Sequence, residues 1–167
     1  PISVVVTGAW ILLTNLLIDI LKANTPSRIV NVSSTAHFGA KIDFDDLFSE
    51  KSYRPNDVYS RTKLANILFT KELAKRLKGT GVTTNCLTPG MVTTKMLDEY
   101  MGMKNAPGAT PEDGARTSIY LATSDEVENV SGSYFSDCKI TDSSGESKDE
   151  ETARRLWEVS AELTGLK

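Results

Sequence analysis

A chain of 167 residues has the length of one domain, and 40% hydrophobic with 25% charged residues is typical of a folded protein. The 19 basic and 22 acidic residues give a formal net charge of −3, which argues against nucleic acid as a partner. Two cysteines cannot form a disulfide scaffold, and a single histidine rules out a His-rich metal site and disfavours a Ser-His-Asp triad. We therefore expect one intracellular, cytoplasmic domain over 1–167, with no bound metal.

The amino-terminal segment from Ile2 to Leu21 is mostly apolar and resembles a membrane anchor in length. However, Asp19 interrupts it, and an acidic residue at the centre of a bilayer costs about 3 kcal/mol. A signal peptide carries basic residues before its apolar run, whereas the first basic residue here is Lys22. The segment is therefore expected to form a buried strand and helix, without a membrane anchor.

Strand and helix patterns alternate along the chain. Runs rich in β-branched residues predict four strands, at 2–7, 28–33, 82–87 and 132–136. Apolar residues at helical spacing predict four helices, at 11–23, 57–78, 110–123 and a last one that ends at 163. This alternation predicts an α/β fold, with a Rossmann-like, mainly parallel sheet of about four strands flanked by helices. In such a sheet, ligands bind at the carboxyl ends of the strands.

Tyr59 and Lys63 stand four residues apart at the start of the predicted helix 57–78, so they share one face. A phenol with its ordinary pKa of about 10 exchanges protons poorly at neutral pH. An ammonium group beside a phenol favours the phenolate and so prepares it for acid–base catalysis. The same pair on an ordinary surface helix would have no chemical role, so the pattern alone does not decide the function.

Two further motifs follow predicted strands at the ligand-binding edge. Ser34 follows the strand 28–33, where its hydroxyl can donate a hydrogen bond to a carbonyl or alkoxide oxygen. After the strand 82–87, Pro89 and Gly90 form a turn that exposes backbone amides, and Thr94 offers a hydroxyl to a carboxamide or phosphate. Each motif is equally compatible with a plain turn, but their common position predicts that they lie together.

The order of these motifs resembles the short-chain dehydrogenase/reductase family. Asn31-Val32-Ser33-Ser34 comes first, Tyr59-x-x-x-Lys63 second and Pro89-Gly90-x-x-x-Thr94 third. Other segments are similar to the retinol dehydrogenase branch of that family, among them Leu13-Thr14-Asn15-Leu16-Leu17 and Ala153-Arg154-Arg155-Leu156-Trp157. The resemblance covers nearly all of positions 11 to 167.

The resemblance implies hydride transfer between a nicotinamide cofactor, NADP or alternatively NAD, and an alcohol or carbonyl. In that family a tyrosine exchanges the proton with the substrate oxygen, a lysine assists it and binds the nicotinamide ribose, and a serine orients the substrate oxygen. By motif, these roles fall on Tyr59, Lys63 and Ser34. The residues implied to bind the cofactor are Thr7, Gly8, Tyr59, Lys63, Pro89, Gly90, Val92 and Thr94. The retinol dehydrogenase branch implies an apolar, retinoid-like alcohol or aldehyde substrate, and its members are often found on intracellular membranes.

The amino-terminal part of the sequence departs from the family. Thr7-Gly8-Ala9 is similar to the start of the family's T-G-x-x-x-G-x-G turn, but Trp10 follows and the next glycine is Gly39. We interpret the chain as the carboxyl-terminal half of such a domain, with the predicted strand 2–7 paired beside 28–33. A half-sheet would leave an edge and an apolar helix face uncovered, so a homo-oligomer is expected.

Three functions therefore remain open at this point. The first is an oxidoreductase, and the second is a non-catalytic pseudoenzyme or interaction domain built on the same half-fold. The third is a membrane-surface protein that uses the apolar amino end, against which Asp19 argues. Binding of a nicotinamide cofactor separates the first two, because only an oxidoreductase requires it.

Overall fold

The computed structural model describes residues 2–166 of the chain, with their side chains from residue 9 onward. Five helices and four strands follow one another, and three single 3₁₀ turns lie at Thr35–His37, Asp125–Val127 and Glu146–Lys148. In chain order the elements are α1 Ile2–Ala23, β1 Ser27–Val32, α2 Pro55–Arg76, β2 Val82–Thr88, α3 Lys95–Met101, α4 Pro111–Thr123, β3 Tyr134–Ser136, β4 Lys139–Ile140 and α5 Glu150–Leu163.

The four strands form one sheet in the order β1-β2-β3-β4. β1 pairs with β2 and β2 with β3 in parallel, whereas β4 runs antiparallel to β3. Cys86 lies at the centre, opposite Asn31 of β1 and Tyr134 of β3. Because helices connect the parallel strands, the predicted α/β fold with a mainly parallel, Rossmann-like sheet is confirmed.

The predicted strand 2–7 is wrong, because this segment is the first part of α1. Its run of three valines favours a strand, but β-propensity is weak evidence without a neighbouring strand to pair with. No Pro, Asn or Asp separates it from the helix that follows, so the helix extends through Gly8, at a propensity penalty of about 1 kcal/mol. The neighbour predicted for β1 is therefore absent, and β1 lies at one edge of the described sheet.

Other predictions for the secondary structure hold to within a few residues. Strands β1, β2 and β3 occupy the predicted places, and Gly79 and Gly81 follow α2 with φ near +80°. Thr110 caps α4 by accepting a hydrogen bond from the amide of Asp113, as the sequence predicts. The short β4 comes from a two-residue hairpin turn at Asp137 and Cys138, which both adopt positive φ.

The sheet is covered by helices on both faces. On one face α1, α2 and α5 pack together, with Ile11, Leu73 and Val82 in their core and the rings of Phe69 and Trp157 stacked 5.5 Å apart. On the other face α4 packs on β1 and β2. There the buried cluster contains Leu87, Leu121, Val127 and Phe135. The sheet is thus fixed from both sides, and the carboxyl ends of β1 and β2 open onto one edge.

The outer face of α1 is apolar and exposed. Among the residues of this α1 stripe, Leu16 is 69% exposed and Ile20 is 61% exposed. The spacing of its members places them on one side of the helix: Trp10, Leu13, Leu16, Leu17 and Ile20. Within 2–166, no helix combines the length and the apolar character that crossing a membrane requires.

Candidate functional site at the carboxyl ends of the strands

Two of the predicted site segments begin where β1 and β2 leave the sheet. Val32 lies opposite Leu87, and the amide of Ser33 donates a hydrogen bond of 2.7 Å to the carbonyl oxygen of Leu87. Ser34 therefore leaves the sheet beside the turn that begins at Pro89. We call Ser34, Tyr59, Lys63, Pro89 and Gly90 the strand-end site.

The first turns of α2 bring Tyr59 and Lys63 to this edge. Lys63 Nζ lies 5.4 Å from the centre of the Tyr59 ring and 3.5 Å from the carbonyl oxygen of Val32. The hydroxyl of Ser33 donates a 2.7 Å hydrogen bond to the carbonyl of Lys63, which fastens the helix to the strand end. The four-residue spacing thus places both side chains on one face of the helix, as predicted.

Lys63 has an unusual electrostatic environment for a lysine. Burial lowers the pKa of Lys63 below the ordinary value of 10.5. Among the described residues, no carboxylate lies within ion-pair distance of its ammonium group. Its hydrogen-bonding capacity is therefore largely unused by the protein, since an ammonium has three donors and only a weak contact with Val32 is present.

Ser34 is the N-cap of the 3₁₀ turn that follows β1. Its Oγ accepts a 3.1 Å hydrogen bond from the amide of Ala36. A hydroxyl that accepts still has one proton to donate, so this cap fixes the position of the oxygen without consuming its O–H. Ser34 is half-buried and can therefore donate to a group that reaches the edge of the sheet.

His37 contacts the backbone carbonyl of Ser34, and the sequence analysis did not predict this contact. Its Nδ1 lies 2.6 Å from the carbonyl oxygen of Ser34, and its Nε2 lies 3.1 Å from the amide nitrogen of Ser144. Because an amide only donates, Nε2 is the acceptor and Nδ1 carries the proton. The ring is fully buried, and this burial lowers the pKa of His37 below 6.5. The only signal in the sequence was a lone histidine three residues after Ser34.

Asn66 is a second residue that the sequence analysis missed. Its Nδ2 donates a 3.0 Å hydrogen bond to the carbonyl oxygen of Val32, the same atom that Lys63 approaches. Asn66 lies one turn after Lys63 on the same helix, so the two side chains together tie α2 to the end of β1. A helical spacing of three from Lys63 was the available signal.

The segment 89–94 leaves the sheet after β2, next to the end of β1. Gly90 has a φ of +75°, which other residues rarely adopt, and its amide donates to Thr88 Oγ1 over 3.2 Å. Thr94 caps α3 by accepting a 3.3 Å hydrogen bond from the amide of Leu97, so its own O–H remains free to donate. Thr94 is exposed, and the role of its hydroxyl in contacting a ligand stays a prediction.

Val92 does not project freely into the site. It forms a parallel bridge to Ala109, and a Cβ on Gly114 of α4 would lie only 2.5 Å from Val92 Cγ2. The absence of a side chain at Gly114 is therefore what lets the segment lie against α4. Val92 is predicted to line the cofactor site, and the structure adds that it anchors the segment that carries Thr94.

The two remaining residues of the predicted cofactor set lie in α1. Thr7 and Gly8 were expected to form a turn after a strand, and that turn is absent because the segment is helical. The amides of a helix interior bind carbonyls four residues back and cannot bind a pyrophosphate. The predicted turn is therefore wrong. The side chain of Thr7 lies outside the described ones.

Comparisons with known proteins show the family and the fold of the chain. The family model for the short chain dehydrogenases matches residues 2–105 of the chain. Human retinol dehydrogenase 14 is 50% identical over 165 residues, which are 93% of this chain and 49% of that protein. Human retinol dehydrogenase 12 is 47% identical over 93% of this chain and 51% of that protein. The chain thus spans about half the length of the curated relatives it matches.

Two solved structures share the fold. An uncharacterized protein from Mycobacterium paratuberculosis is 31% identical with a TM-score of 0.74, over 95% of this chain and 56% of that one. A protein from Beutenbergia cavernae with bound NADP, whose name suggests an NAD(P)-dependent gluconate 5-dehydrogenase, is 25% identical with a TM-score of 0.56, over 75% of this chain and 49% of that one. Since the family model matches more than half of its residues, the chain belongs to the short chain dehydrogenase family.

Proposed function

We propose that the strand-end site belongs to an NAD(P)-dependent oxidoreductase that interconverts an alcohol and a carbonyl. The observation that carries this proposal is the position of Lys63 Nζ, 5.4 Å from the centre of the Tyr59 ring and free of any carboxylate among the described residues. The hydroxyl of Ser34, which caps the 3₁₀ turn, lies at the end of β1, the strand whose Val32 carbonyl Lys63 contacts. These three groups match the roles that the chemistry needs: a proton donor, a cation and a donor to the substrate oxygen.

The residues at this edge fit the nicotinamide end of a dinucleotide. Lys63 has ammonium protons available for a ribose hydroxyl, and Gly90 lets the backbone approach a ring closely. Thr94 offers a hydroxyl proton, and Pro89 and Val92 would form the apolar wall. We propose NADP rather than NAD as the cofactor, supported by the solved relative that contains NADP.

A bound nicotinamide would supply or accept the hydride. On reduction of a carbonyl, Tyr59 would give its phenolic proton to the substrate oxygen as that oxygen gains negative charge, and on oxidation it would take the proton back. The ammonium of Lys63 would stabilise the negative charge left on Tyr59. Ser34 would hold the same substrate oxygen with its free O–H, which orients the carbonyl carbon for the transfer.

The substrate is proposed to be an apolar, retinoid-like alcohol or aldehyde. Four exposed methionines lie within or just after the segment 89–94, and thioether side chains adapt to apolar ligands: Met91, Met96, Met101 and Met103. The curated relatives that support this choice are named retinol dehydrogenases.

Calorimetric titration of NADPH and NADH into the purified chain tests the cofactor part of the proposal. The wild type is expected to bind NADPH with a micromolar Kd, and Lys63→Met is expected to weaken it at least tenfold. Lys78→Met, at an exposed lysine just after α2, is the matched control and should bind as the wild type does. Equal binding by Lys63→Met and the wild type would contradict the role of Lys63.

A non-catalytic interaction domain is the second candidate function. Its supporting observation is that no glycine lies between Gly8 and Gly39, so this chain supplies no glycine-rich cradle for a pyrophosphate. A folded chain that binds neither nucleotide would favour this candidate over the oxidoreductase.

A further inference from the structure

A second cleft lies on another side of α2 from the strand-end site. Its volume is about 760 Å³, and none of Ser34, Tyr59 and Lys63 lines it. Its walls come from the loop 38–45, from Ser60 and Arg61 in the first turns of α2, and from Arg155 of α5. We call it the arginine cleft. The helix thus presents Tyr59 and Lys63 to one site, and Ser60 and Arg61 to another.

Arg61 has a buried donor without an acceptor. Its Nη1 is inaccessible to solvent and has no hydrogen-bond partner among the described residues. Leaving a buried donor unsatisfied costs about 1–3 kcal/mol, and more for a charged group. Such a group in a folded protein calls for an explanation, and an acceptor in the cleft would provide one once the side chain rotates to expose Nη1.

Arg155 is the second cation of the cleft. Its guanidinium carbon lies 4.0 Å from the centre of the Phe44 ring, so its planar group is held in a defined orientation. Within the described chain it has no ion pair, in contrast to its neighbour Arg154, which binds both Glu151 and Glu158. A stacked guanidinium keeps its in-plane N–H donors free.

The carboxylates near the cleft do not neutralise these two arginines. Asp57 forms an ion pair of 2.9 Å with Arg54, and Asp43 Oδ1 accepts a 3.0 Å hydrogen bond from the amide of Asp45. Asp45 is exposed at the rim, as is Lys41. Neither Arg61 nor Arg155 has a described carboxylate oxygen within 4.0 Å.

We propose that the arginine cleft binds an oxyanion, a carboxylate or a phosphate, between Arg61 and Arg155. Two guanidinium groups with free donors match the geometry of such anions, and the hydroxyl of Ser60 adds another donor. Phe44 and Phe38, which is 54% exposed, give the cleft an apolar wall. The site therefore favours an oxyanion attached to an apolar group over a free inorganic ion. This inference does not depend on the oxidoreductase activity.

Titration of the full 167-residue chain with inorganic phosphate and, separately, with benzoate at constant ionic strength tests the proposal. Calorimetry should show saturable binding, tighter for benzoate than for phosphate. Amide NMR signals of Phe44, Ser60 and Arg61 should shift in the wild type during the titration, a readout that needs no variant.

Arg61→Gln and Arg155→Gln should each weaken benzoate binding about tenfold or more. Arg116→Gln removes the same charge at an exposed ion pair with Asp137 and should have no effect. Absence of saturable binding would overturn the proposal. Equal weakening by Arg116→Gln would also overturn it, because the binding would then reflect net charge alone.

Discussion

His37 Nδ1 donates a hydrogen bond to the carbonyl oxygen of Ser34 over 2.6 Å, and the same ring accepts from the amide of Ser144 over 3.1 Å. One buried side chain thus connects the end of β1 with the loop that precedes α5. Only the bond from Ser144 needs the neutral ring, since a protonated Nε2 cannot accept, whereas Nδ1 donates to Ser34 in either protonation state. Protonation of His37 would therefore break its contact with the loop that precedes α5 and leave the buried ring held only at Ser34.

The stability of the protein should fall below pH 6.5 because of His37. Burial lowers the pKa of His37 in the folded state, with Lys71 of α2 adding to the effect and the Ser34 carbonyl and Glu146 opposing it. Above pH 6.5 the ring is neutral in both states, and as the pH falls the unfolded chain takes up a proton more readily. Urea unfolding at pH 7.5 and 5.5 should show a lower free energy of unfolding at the lower pH.

Proton NMR can check this directly, because His37 is the single histidine of the sequence. His37→Asn keeps a donor for the Ser34 carbonyl and removes the titrating group. This variant should lose much less stability than the wild type between pH 7.5 and 5.5. A His37 pKa of 6.5 or above would refute the explanation, as would an equal loss of stability in the two proteins.

Lys63 should favour cofactor binding but lower the stability of the folded protein. Its pKa is lowered by burial, so keeping it charged at neutral pH is unfavourable for folding, and this penalty fades as the pH rises toward 10.5. Lys63→Met should raise the Tm at pH 7 by about 1–3 °C while weakening cofactor binding. Scanning calorimetry measures the first effect, and a lower Tm would show that the ammonium is favourable in the folded state.

Gly114 should be intolerant of even a methyl group. A Cβ there would lie 2.5 Å from Val92 Cγ2, and overpacking of this kind costs about 1–3 kcal/mol. That exceeds the gain of about 1 kcal/mol that alanine brings to a helix interior. Gly114→Ala should therefore reduce the free energy of unfolding and displace the segment that carries Thr94.

A double-mutant cycle isolates the contact behind this effect. Val92→Ala should make Gly114→Ala almost harmless, since the clashing methyl groups are then gone. Gly145→Ala is the control, because a Cβ at Gly145 meets no atom within 4 Å. Additive effects of the Gly114 and Val92 substitutions would place the cause elsewhere.

The α1 stripe should make the chain self-associate. An exposed apolar stripe on one helix face is unfavourable in water, and burial between two copies would relieve it. Leu16→Glu should shift sedimentation toward the monomer, because Leu16 is the most exposed member of the stripe at 69%. Leu163→Glu, on α5 and outside the stripe, should leave the distribution unchanged. A wild type that is monomeric at all concentrations would refute this prediction.

Much of the fold could be predicted from local patterns. The stops at Gly79 and Gly81 and the cap at Thr110 are short-range features whose chemistry stands in the sequence itself. In the segment 2–7 three valines satisfy the β pattern, but the described sheet has no strand there and the segment is helical. Local propensity is a weak guide where tertiary contacts decide.

Sequence patterns could predict the groups of the candidate site that face a ligand, but not the residues that hold those groups in place. Tyr59 and Lys63 share a helix face by spacing alone, and their closeness follows from that. The supports behind them join residues far apart in the chain: His37 reaches Ser144, and Val92 rests on Gly114. No spacing rule relates such pairs, because they meet only through the packing of the whole domain.

Transfer of deuterium is the most direct test of the proposed function. NADPH carrying two deuterium atoms at carbon 4 of the nicotinamide would be incubated with an apolar aldehyde and the purified chain. Mass spectrometry should find one deuterium in the alcohol product with the wild type and with Tyr53→Phe, a matched control in which the tyrosine is 58% exposed. Tyr59→Phe should lower the rate by a factor of about 100 to 10,000. Unlabelled or absent alcohol from a folded wild type, or equal rates for Tyr59→Phe and Tyr53→Phe, would contradict the assignment of this site.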